Sequence, residues 1–289
     1  MKLINSEFVP VAFDQFYQRQ QKDAEGNFYR KIAGQSRNRN FDRTTQGCYV
    51  ADAAGNFYGF NNNYGPENLQ KMMRHALNRF NAKKESLAGL AKIKSASSDP
   101  RHARALPKDA TVIQVNSKVE AKIYTTDERR LIFGKATSRD NLWLLDEEKK
   151  ALASRKIPKS LFRRMARFHF ADNTRGEPSH WKTDEIKRIK VRFTEKNQFQ
   201  GSVHLETEDK RRGYVASFRG FVDFDASGKL NRFDVVVRGN HWGKGEWVSY
   251  APRGEFPLLI AFRIADEKDV AYSLPPHGTK GWLEGYYDN

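Results

Sequence analysis

From about residue 169 onward, the chain alternates apolar and polar residues in a series of short segments. The clearest are IKRIKVRF, SVHLET, GYVASFRGFVDF, LNRFDVVVRG, EWVSYA and PLLIAFRIA. Alternation with a period of two is typical of half-buried β-strands. Glycine-containing turns such as KRRG, DASGK and NHWGKGE separate these segments. The pattern predicts an antiparallel β-sandwich or barrel-like domain over residues 169–289.

The chain ahead of this stretch has a different texture, so we predict more than one domain. The whole chain has 289 residues, which exceeds the usual size of a single hydrophobic core. Residues 83–108 are rich in Ala, Ser, Lys and Pro, which predicts a linker. Residues 109–168 mix strand-like and helical segments, which predicts a basic mixed α/β connecting region. With a further domain over residues 1–82, the fold class we expect is α+β.

The first third of the chain has a recognisable order of elements. Residues 7–13 (EFVPVAF) predict a short buried strand, and residues 14–33 predict a helix in two pieces that Gly26 interrupts. Two short strands around an Ala-Gly-Asn turn predict a hairpin over residues 47–60. Pro66 stands where the first turn of a helix tolerates proline, and apolar residues at helical spacing follow it.

This order over residues 3–80 resembles the second part of a thioredoxin-like domain. The segments FVPVAFD (8–14) and YVADAAGNFYGFNNNYGPENLQKMMRHAL (49–77) carry the resemblance. It implies a partial thioredoxin-like α/β fold whose final helix packs on the sheet. The family's first strand and active-site helix have no counterpart here, and TTQG (44–47) stands where the family has a cis-proline. The resemblance therefore implies the fold without the redox activity.

Cys48 is the one cysteine of the chain. A single cysteine forms no internal disulfide, no C-x-x-C redox pair and no thiolate zinc site within the chain, which excludes a dithiol oxidoreductase. Because Cys48 lies inside a predicted strand, we interpret it as a small core residue rather than as a nucleophile.

The positive charge of the chain is concentrated in its middle. The chain has 51 Lys and Arg against 35 Asp and Glu, and residues 71–168 alone carry 24 of the former against 10 of the latter. A basic block attracts polyanions such as nucleic acid, an anionic membrane or an acidic protein, although it also serves as an ordinary solvated surface. The function we expect is non-redox binding of a polyanion or acidic protein through this segment.

The stretch KIPKSLFRRMARF lies within this basic block. It places Arg163, Arg164 and Arg167 on neighbouring helical turns, where they can lie across phosphate groups. The same spacing fits an amphipathic helix that buries its apolar residues and leaves the arginines in solvent. Both interpretations stay open at this point.

The densest polar cluster, RFHFADNTRGEP at 167–178, joins the basic region to the strand-rich one. Together with FRGFVDFD and RGNHWG, it resembles uncharacterised bacterial proteins with a thioredoxin-like front end, which implies no particular activity. His169 is a candidate base or metal ligand, and Asp172, Arg175 and Glu177 are candidate catalytic partners that orient or join it. The alternative is a simple turn, which the Asp-Asn pair and the glycine favour.

A second polar cluster, RGNHWGKGEW at 238–247, falls between two predicted strands. Arg238 and Trp242 are candidate binding residues, because an exposed Trp beside Arg stacks on a ring, a sugar or a base. His241 is a further candidate for catalysis. The alternative is a hairpin whose tryptophans pack on the end of the sheet.

Three histidines, His169, His204 and His241, would make a metal site if the fold brings them together. An enzyme, metal-dependent or hydrolase-like, is then the alternative function, with its site where the loops 167–181 and 238–247 meet. The chain contains no P-loop, G-x-G-x-x-G, G-x-S-x-G or H-E-x-x-H motif that would name a reaction or a cofactor.

The start of the chain is not of the signal-peptide type, because Asn5, Ser6 and Glu7 interrupt its apolar residues. No stretch approaches the roughly 18 apolar residues of a transmembrane helix. These features predict a soluble cytoplasmic protein, and the sequence leaves its oligomeric state open.

Overall fold

A computed structural model describes most of the chain, which forms two compact units, Met1–Asp99 and Pro100–Asn289. The boundary falls within the predicted linker, most of which lies outside the described residues. The described residues are 2–13, 15–37, 39–63, 65–83, 104–121, 126, 131–174, 176–177, 179–195, 197–248, 250–280 and 285–287. Among them, no helix is both long and apolar enough to cross a bilayer.

The N-terminal unit consists of short helices around one β-hairpin. The helices are α1 (Lys2–Glu7), α2 (Gln15–Gln18), α3 (Ala24–Ala33) and α4 (Pro66–Lys83), and the strands are β1 (Cys48–Ala51) and β2 (Phe57–Asn61). The predicted hairpin and the predicted helix from Pro66 are confirmed. Asp52 shapes the hairpin turn, since its Oδ1 accepts hydrogen bonds from the backbone N–H groups of Ala54 and Asn56 at 3.0 and 2.8 Å.

Two predictions for this unit are wrong. Residues 7–13 form no buried strand: Val9 and Val11 are 88% and 63% exposed. Apolar composition does not supply the neighbouring strand that a buried strand needs, and Pro10 has no N–H to give to a ladder. The helical break lies before Asp23, which caps α3 by accepting from Gly26 N at 2.9 Å, so Gly26 belongs to the helix. The thioredoxin-like fold stays a prediction.

The C-terminal unit is built on one antiparallel sheet of seven strands in the order β4-β3-β9-β8-β7-β6-β5. The strands are β3 (Thr111–Val119), β4 (Asp140–Leu144), β5 (Ile186–Glu195), β6 (Gln198–Glu206), β7 (Gly213–Phe224), β8 (Leu230–Trp242) and β9 (Glu255–Ile264). The helices are α5 (Asp146–Ala153) and α6 (Lys159–Arg164), and a π-turn over Met165–His169 continues α6. Short 3₁₀ turns cover Ile132–Lys135, Thr183–Glu185, Val270–Ser273 and His277–Thr279.

This sheet changes two expectations. Strand β3 pairs with β9, so Val119 lies opposite Leu258, and the predicted regions 109–168 and 169–289 share one sheet. The described residues of this unit form this one sheet, and its edge strands β4 and β5 do not pair, so the unit is neither a two-sheet sandwich nor a closed barrel. The α+β class is confirmed, with helices and a large antiparallel sheet in one chain.

The hydrophobic core lies between one face of the sheet and the helical segment that crosses it. This segment connects β4 at one sheet edge to β5 at the other, so it runs over the inner face. Phe162 of α6 packs on Phe199 and Phe218, with ring centroids 5.5 and 5.8 Å apart. The period-two alternation places every second strand residue in this core and the others on the outer face.

Candidate functional site

The π-turn at the end of α6 places the side chain of His169 in the interior of the unit. The wider turn is closed by a hydrogen bond from Phe170 N to Met165 O at 2.9 Å. The side chain of His169 is fully buried, with Nδ1 3.2 Å from Asp140 Oδ2 and Nε2 3.2 Å from the hydroxyl of Tyr286. The contact with Asp140 has ion-pair distance but not the direction of a well-aligned hydrogen bond. The result is a buried Asp–His–Tyr series.

Asp140 begins β4 and stays ionised in this interior. Burial by itself raises the pKa of its carboxyl, but His169 and the backbone N–H of His277 outweigh burial and hold the pKa below its ordinary value. Its Oδ1 accepts from the N–H groups of Asn141 and His277 at 2.8 and 3.0 Å. Asp140 therefore links the π-turn to the C-terminal segment.

A second part of the network runs toward the surface from His277. Its Nδ1 lies 3.3 Å from His180 Nε2, and its Nε2 lies 3.2 Å from Glu177 Oε1, which Lys280 also approaches at 3.4 Å. The bond to His277, against burial, lowers the pKa of Glu177 to about 2. Burial, and then the charges of His277 and His169, lower the pKa of His180 to about 3, so this ring is neutral at pH 7.

The contacts of this network have a structural role. His169 offers no surface to a substrate, and burial raises the pKa of Tyr286 well above its usual value, so its hydroxyl is a neutral hydrogen-bonding group. What the network does is fasten the segment after β9, through His277, Lys280 and Tyr286, to the body of the unit.

Asp172, another member of the first predicted cluster, lies in a turn. Asp172 is buried, and its Oδ1 accepts from Thr174 N at 3.2 Å and Thr174 Oγ1 at 2.7 Å. This is the turn interpretation of the sequence. Glu177 joins the network through His277 rather than through His169, and Arg175 lies outside the described residues.

The fold keeps the three candidate metal ligands His169, His204 and His241 apart. His241 lies on the inner face of β8 against Phe256, with ring centroids 5.1 Å apart, whereas His169 packs against Phe262, six residues further along β9. That spacing corresponds to about 20 Å along an extended strand. His204 lies on the outer face, between the buried residues Val203 and Leu205. In the described part of the chain, no three His, Cys, Asp or Glu side chains are grouped to hold a metal ion.

The loops 167–181 and 238–247 do meet, but through other groups. Gly176 forms a β-bridge with Val248, and Glu246 N donates to Ser179 Oγ at 3.0 Å. These are backbone and hydroxyl contacts that close the loops on each other. They do not unite the two predicted histidines in one pocket.

The three arginines of α6 and the π-turn differ in position, so they do not form one phosphate-binding row. Arg163 is exposed, but Arg164 is buried, with its Nη2 2.5 Å from Glu148 Oε2 and 3.1 Å from Trp143 O. Arg167 is half-buried and donates to Trp181 O at 3.2 Å. Because successive residues of a helix point in different directions, one of the predicted binding residues, Arg164, lies in the core.

Trp242 also packs on its own sheet. Its ring covers Gly213, where a Cβ would lie 2.0 Å from the indole, and its Nε1 donates to Lys210 O at 3.0 Å. The hairpin interpretation therefore fits Trp242, while Trp247 is 65% exposed. Arg238 faces outward on β8 and pairs with Glu120, with Nε–Oε2 at 3.3 Å.

Cys48 is exposed at the first position of β1, so its interpretation as a core residue is wrong. Partial burial of the sulfur raises the pKa of its thiol, so the residue is not an activated nucleophile.

The outer face of the sheet carries a group of basic side chains that we call the outer basic face: Arg188, Lys190, Arg192, Arg219 and Arg238. In β5, the alternate residues Ile189, Val191 and Phe193 pack on the core, so the basic residues between them point outward. The register places Lys190 opposite Ser202, Ser202 opposite Ser217 and Ser217 opposite Arg238. The neighbouring row runs Arg192, Gln200, Arg219 and Val236.

The members of these two rows on β5, β6 and β7 line a shallow groove of about 440 Å³. Ser202 and Ser217 are short and form its floor, while Lys190, Arg192 and Arg219 form its rim. Within the described residues, none of these three cations is held in an ion pair. The groove therefore offers positive charge, hydroxyl groups and the amide of Gln200 to a ligand.

The sequence prediction named His169 and Glu177 of the buried network and Arg238 of the outer basic face, but it missed the other residues of both sites. Asp140, His180, His277 and Tyr286 are far apart in the chain and only the fold joins them. The alternation of IKRIKVRF does signal three outward cations on one strand, but their position on the same face as Arg219 depends on strand register.

Comparison of the chain with protein-family models, with curated proteins and with solved structures finds no match.

Proposed function

We propose that this chain binds a phosphate polymer of the nucleic-acid type on the outer basic face of its seven-stranded sheet. The observation that carries the proposal is the groove with Lys190, Arg192 and Arg219 at its rim and two serines at its floor. Phosphate oxygens accept hydrogen bonds from such cations and hydroxyl groups without reading base sequence. This retains the anionic partner expected from sequence and moves its site from residues 71–168 to β5 and β7.

The geometry favours a duplex over a single strand. Single-strand binding depends on exposed aromatic rings on which bases stack. On the described part of this face, the ring of Phe221 is covered by the guanidinium of Arg232, whose central carbon lies 4.4 Å from the ring centroid. The ring of Trp242 lies against Gly213 and is likewise engaged within the sheet. Charge without open rings suits contact with two phosphate backbones.

The binding alternative is also better supported than the enzyme alternative. The Asp–His–Tyr series has the right residue types for catalysis, but the ring of His169 is enclosed. The groove on the outer face, by contrast, is open to a large ligand.

The test is fluorescence anisotropy with a labelled 20-base-pair duplex of mixed sequence across a salt series. Four cations of the outer basic face remain when Arg238, which pairs with Glu120, is left out. If these four contact phosphates, a plot of log affinity against log salt concentration should have a slope of about −3.6, which is a loss of roughly 150-fold between 50 and 200 mM salt. The variant Arg192→Gln/Arg219→Gln should reduce the slope by about 2. The matched control Arg253→Gln/Lys268→Gln, which removes two exposed charges from loops, should leave it unchanged.

Either of two results would refute the proposal: a slope near zero, or the same slope in both double variants. Polyglutamate that displaces the duplex at equal charge concentration would assign the face to an acidic protein instead.

A further inference from the structure

The N-terminal unit has a second groove, whose lining shares no residue with the groove of the outer basic face. It has a volume of about 950 Å³ and lies between the residues that follow α3, strand β2 and one side of α4. The whole of β2 lines it, together with the exposed residues Asn62 and Asn63. The groove therefore runs along a strand rather than forming an enclosed pocket.

The charge of this groove has one sign. Its described lining contains Arg37, Arg39, His75 and Arg79 and no Asp or Glu. Arg37 and Arg39 are exposed and take part in no ion pair among the described residues. Arg79 is partly committed, because its Nη1 donates to Tyr58 O at 2.9 Å. The two arginines that follow α3 are thus the cations available to a ligand.

The backbone of β2 adds a second kind of recognition. The N-terminal sheet has two strands, so in the described chain β2 has a strand neighbour on one side only. Along its other side, the first two residues are already engaged, since Phe57 N donates to Gln35 Oε1 at 3.2 Å and Tyr58 O accepts from Arg79. From Gly59 to Asn62, this edge presents backbone N–H and C=O groups, which pair readily with another extended chain. A sugar-phosphate backbone has no matching series of donors and acceptors, whereas a peptide does.

We propose that the groove binds an acidic peptide in extended conformation, as a third strand beside β2. Its backbone pairs with the open edge from Gly59 to Asn62, and its carboxylates on one face meet Arg37 and Arg39. The open edge from Gly59 to Asn62 corresponds to about 13 Å of extended chain, so about four residues of the peptide pair with it. The site is separate from the outer basic face and does not depend on it.

The probe is a fluorescein-labelled octapeptide of alternating Glu and Thr, titrated with the full chain and followed by anisotropy. Two control peptides have alternating Lys and Thr, and alternating Glu and Pro. The Lys peptide tests charge, and the Glu-Pro peptide tests strand pairing, since proline has no N–H. We expect the Glu-Thr peptide to bind at least tenfold tighter than either control.

The variant Arg37→Glu/Arg39→Glu should weaken binding of the Glu-Thr peptide at least tenfold. The matched control is Lys71→Glu/Arg74→Glu, which reverses two exposed charges of α4 outside the groove lining and should bind as the unmodified chain does. Equal loss in both variants, or equal binding of the Glu-Pro peptide, would overturn the proposal. Arg192→Gln/Arg219→Gln should bind the peptide normally, which separates this result from that of the duplex assay.

Discussion

Acidification from pH 7.5 to pH 5 should destabilise the C-terminal unit through His180. Burial is the main reason that the pKa of this ring is about 3 in the folded unit, against 6.5 for an ordinary histidine. The folded ring therefore stays neutral while the unfolded one takes up a proton, so stability falls as the pH falls through 6.5. Integrating between these pKa values gives a loss of about 2 kcal/mol at pH 5.

The pH window separates His180 from its carboxylate neighbour. The pKa of Glu177 is lowered to about 2 from 4.5. Its stabilising contribution is therefore fully present well above pH 4.5 and is lost only as the pH falls below it. Between pH 6.5 and pH 5, the decline should come from histidine.

The assay is urea unfolding followed by tryptophan fluorescence at pH 7.5, 6 and 5. All five tryptophans lie in the unit Pro100–Asn289, so the signal reports that unit alone. His180→Gln should lose most of the pH dependence, while His204→Gln, on the outer face, should keep it. A decline below about 0.5 kcal/mol, or an equal decline in His180→Gln, would refute the reasoning.

Two further outcomes are expected from the side chains described above. Arg164→Ala strands the buried carboxylate of Glu148 and should cost about 3–5 kcal/mol in the free energy of unfolding by urea, whereas Arg163→Ala, next to it but exposed, should stay within about 0.5 kcal/mol. Equal costs would contradict the burial assigned to Arg164. Cys48 should label completely with a thiol reagent at pH 7 but more slowly than free cysteine, because it is exposed while its pKa is raised; a faster rate would mean an activated thiolate.

The parts of the fold that sequence predicted are those set by local patterns. The hairpin over 47–60 follows from turn residues between short strands, and strands β5 to β9 follow from alternation. The segment EWVSYA has a similar pattern, but its described residues contribute only the isolated β-bridge of Val248. Residues 7–13 have the composition of a strand, but a strand is stable only beside a partner, which composition does not reveal. The pairing of β3 with β9 is likewise non-local, so the boundary drawn at residue 168 cut through one sheet.

The same reason explains what was missed in the sites. His169 was found because polar residues cluster around it in sequence. Its partners Asp140 and Tyr286 come from distant elements, so the contacts that close the site to substrate are tertiary. Helical spacing placed Arg163 and Arg164 on successive positions, but only the packing of α6 against Glu148 shows which one is buried.

The position of β3 between β4 and β9 has a consequence for the order in which the chain is synthesised. The pairing of β3 with β9 can form only after Leu258, which lies opposite Val119, has been synthesised. At ribosomal rates of about 5–20 residues per second, that delay is about 7–28 s. During this delay, β3 and β4 have only each other as neighbours from the final sheet. Their apolar side chains lack the contact with β9 while strands β5 to β8 are being synthesised. A chaperone that acts on this protein should therefore be needed before β9 is made and dispensable after it.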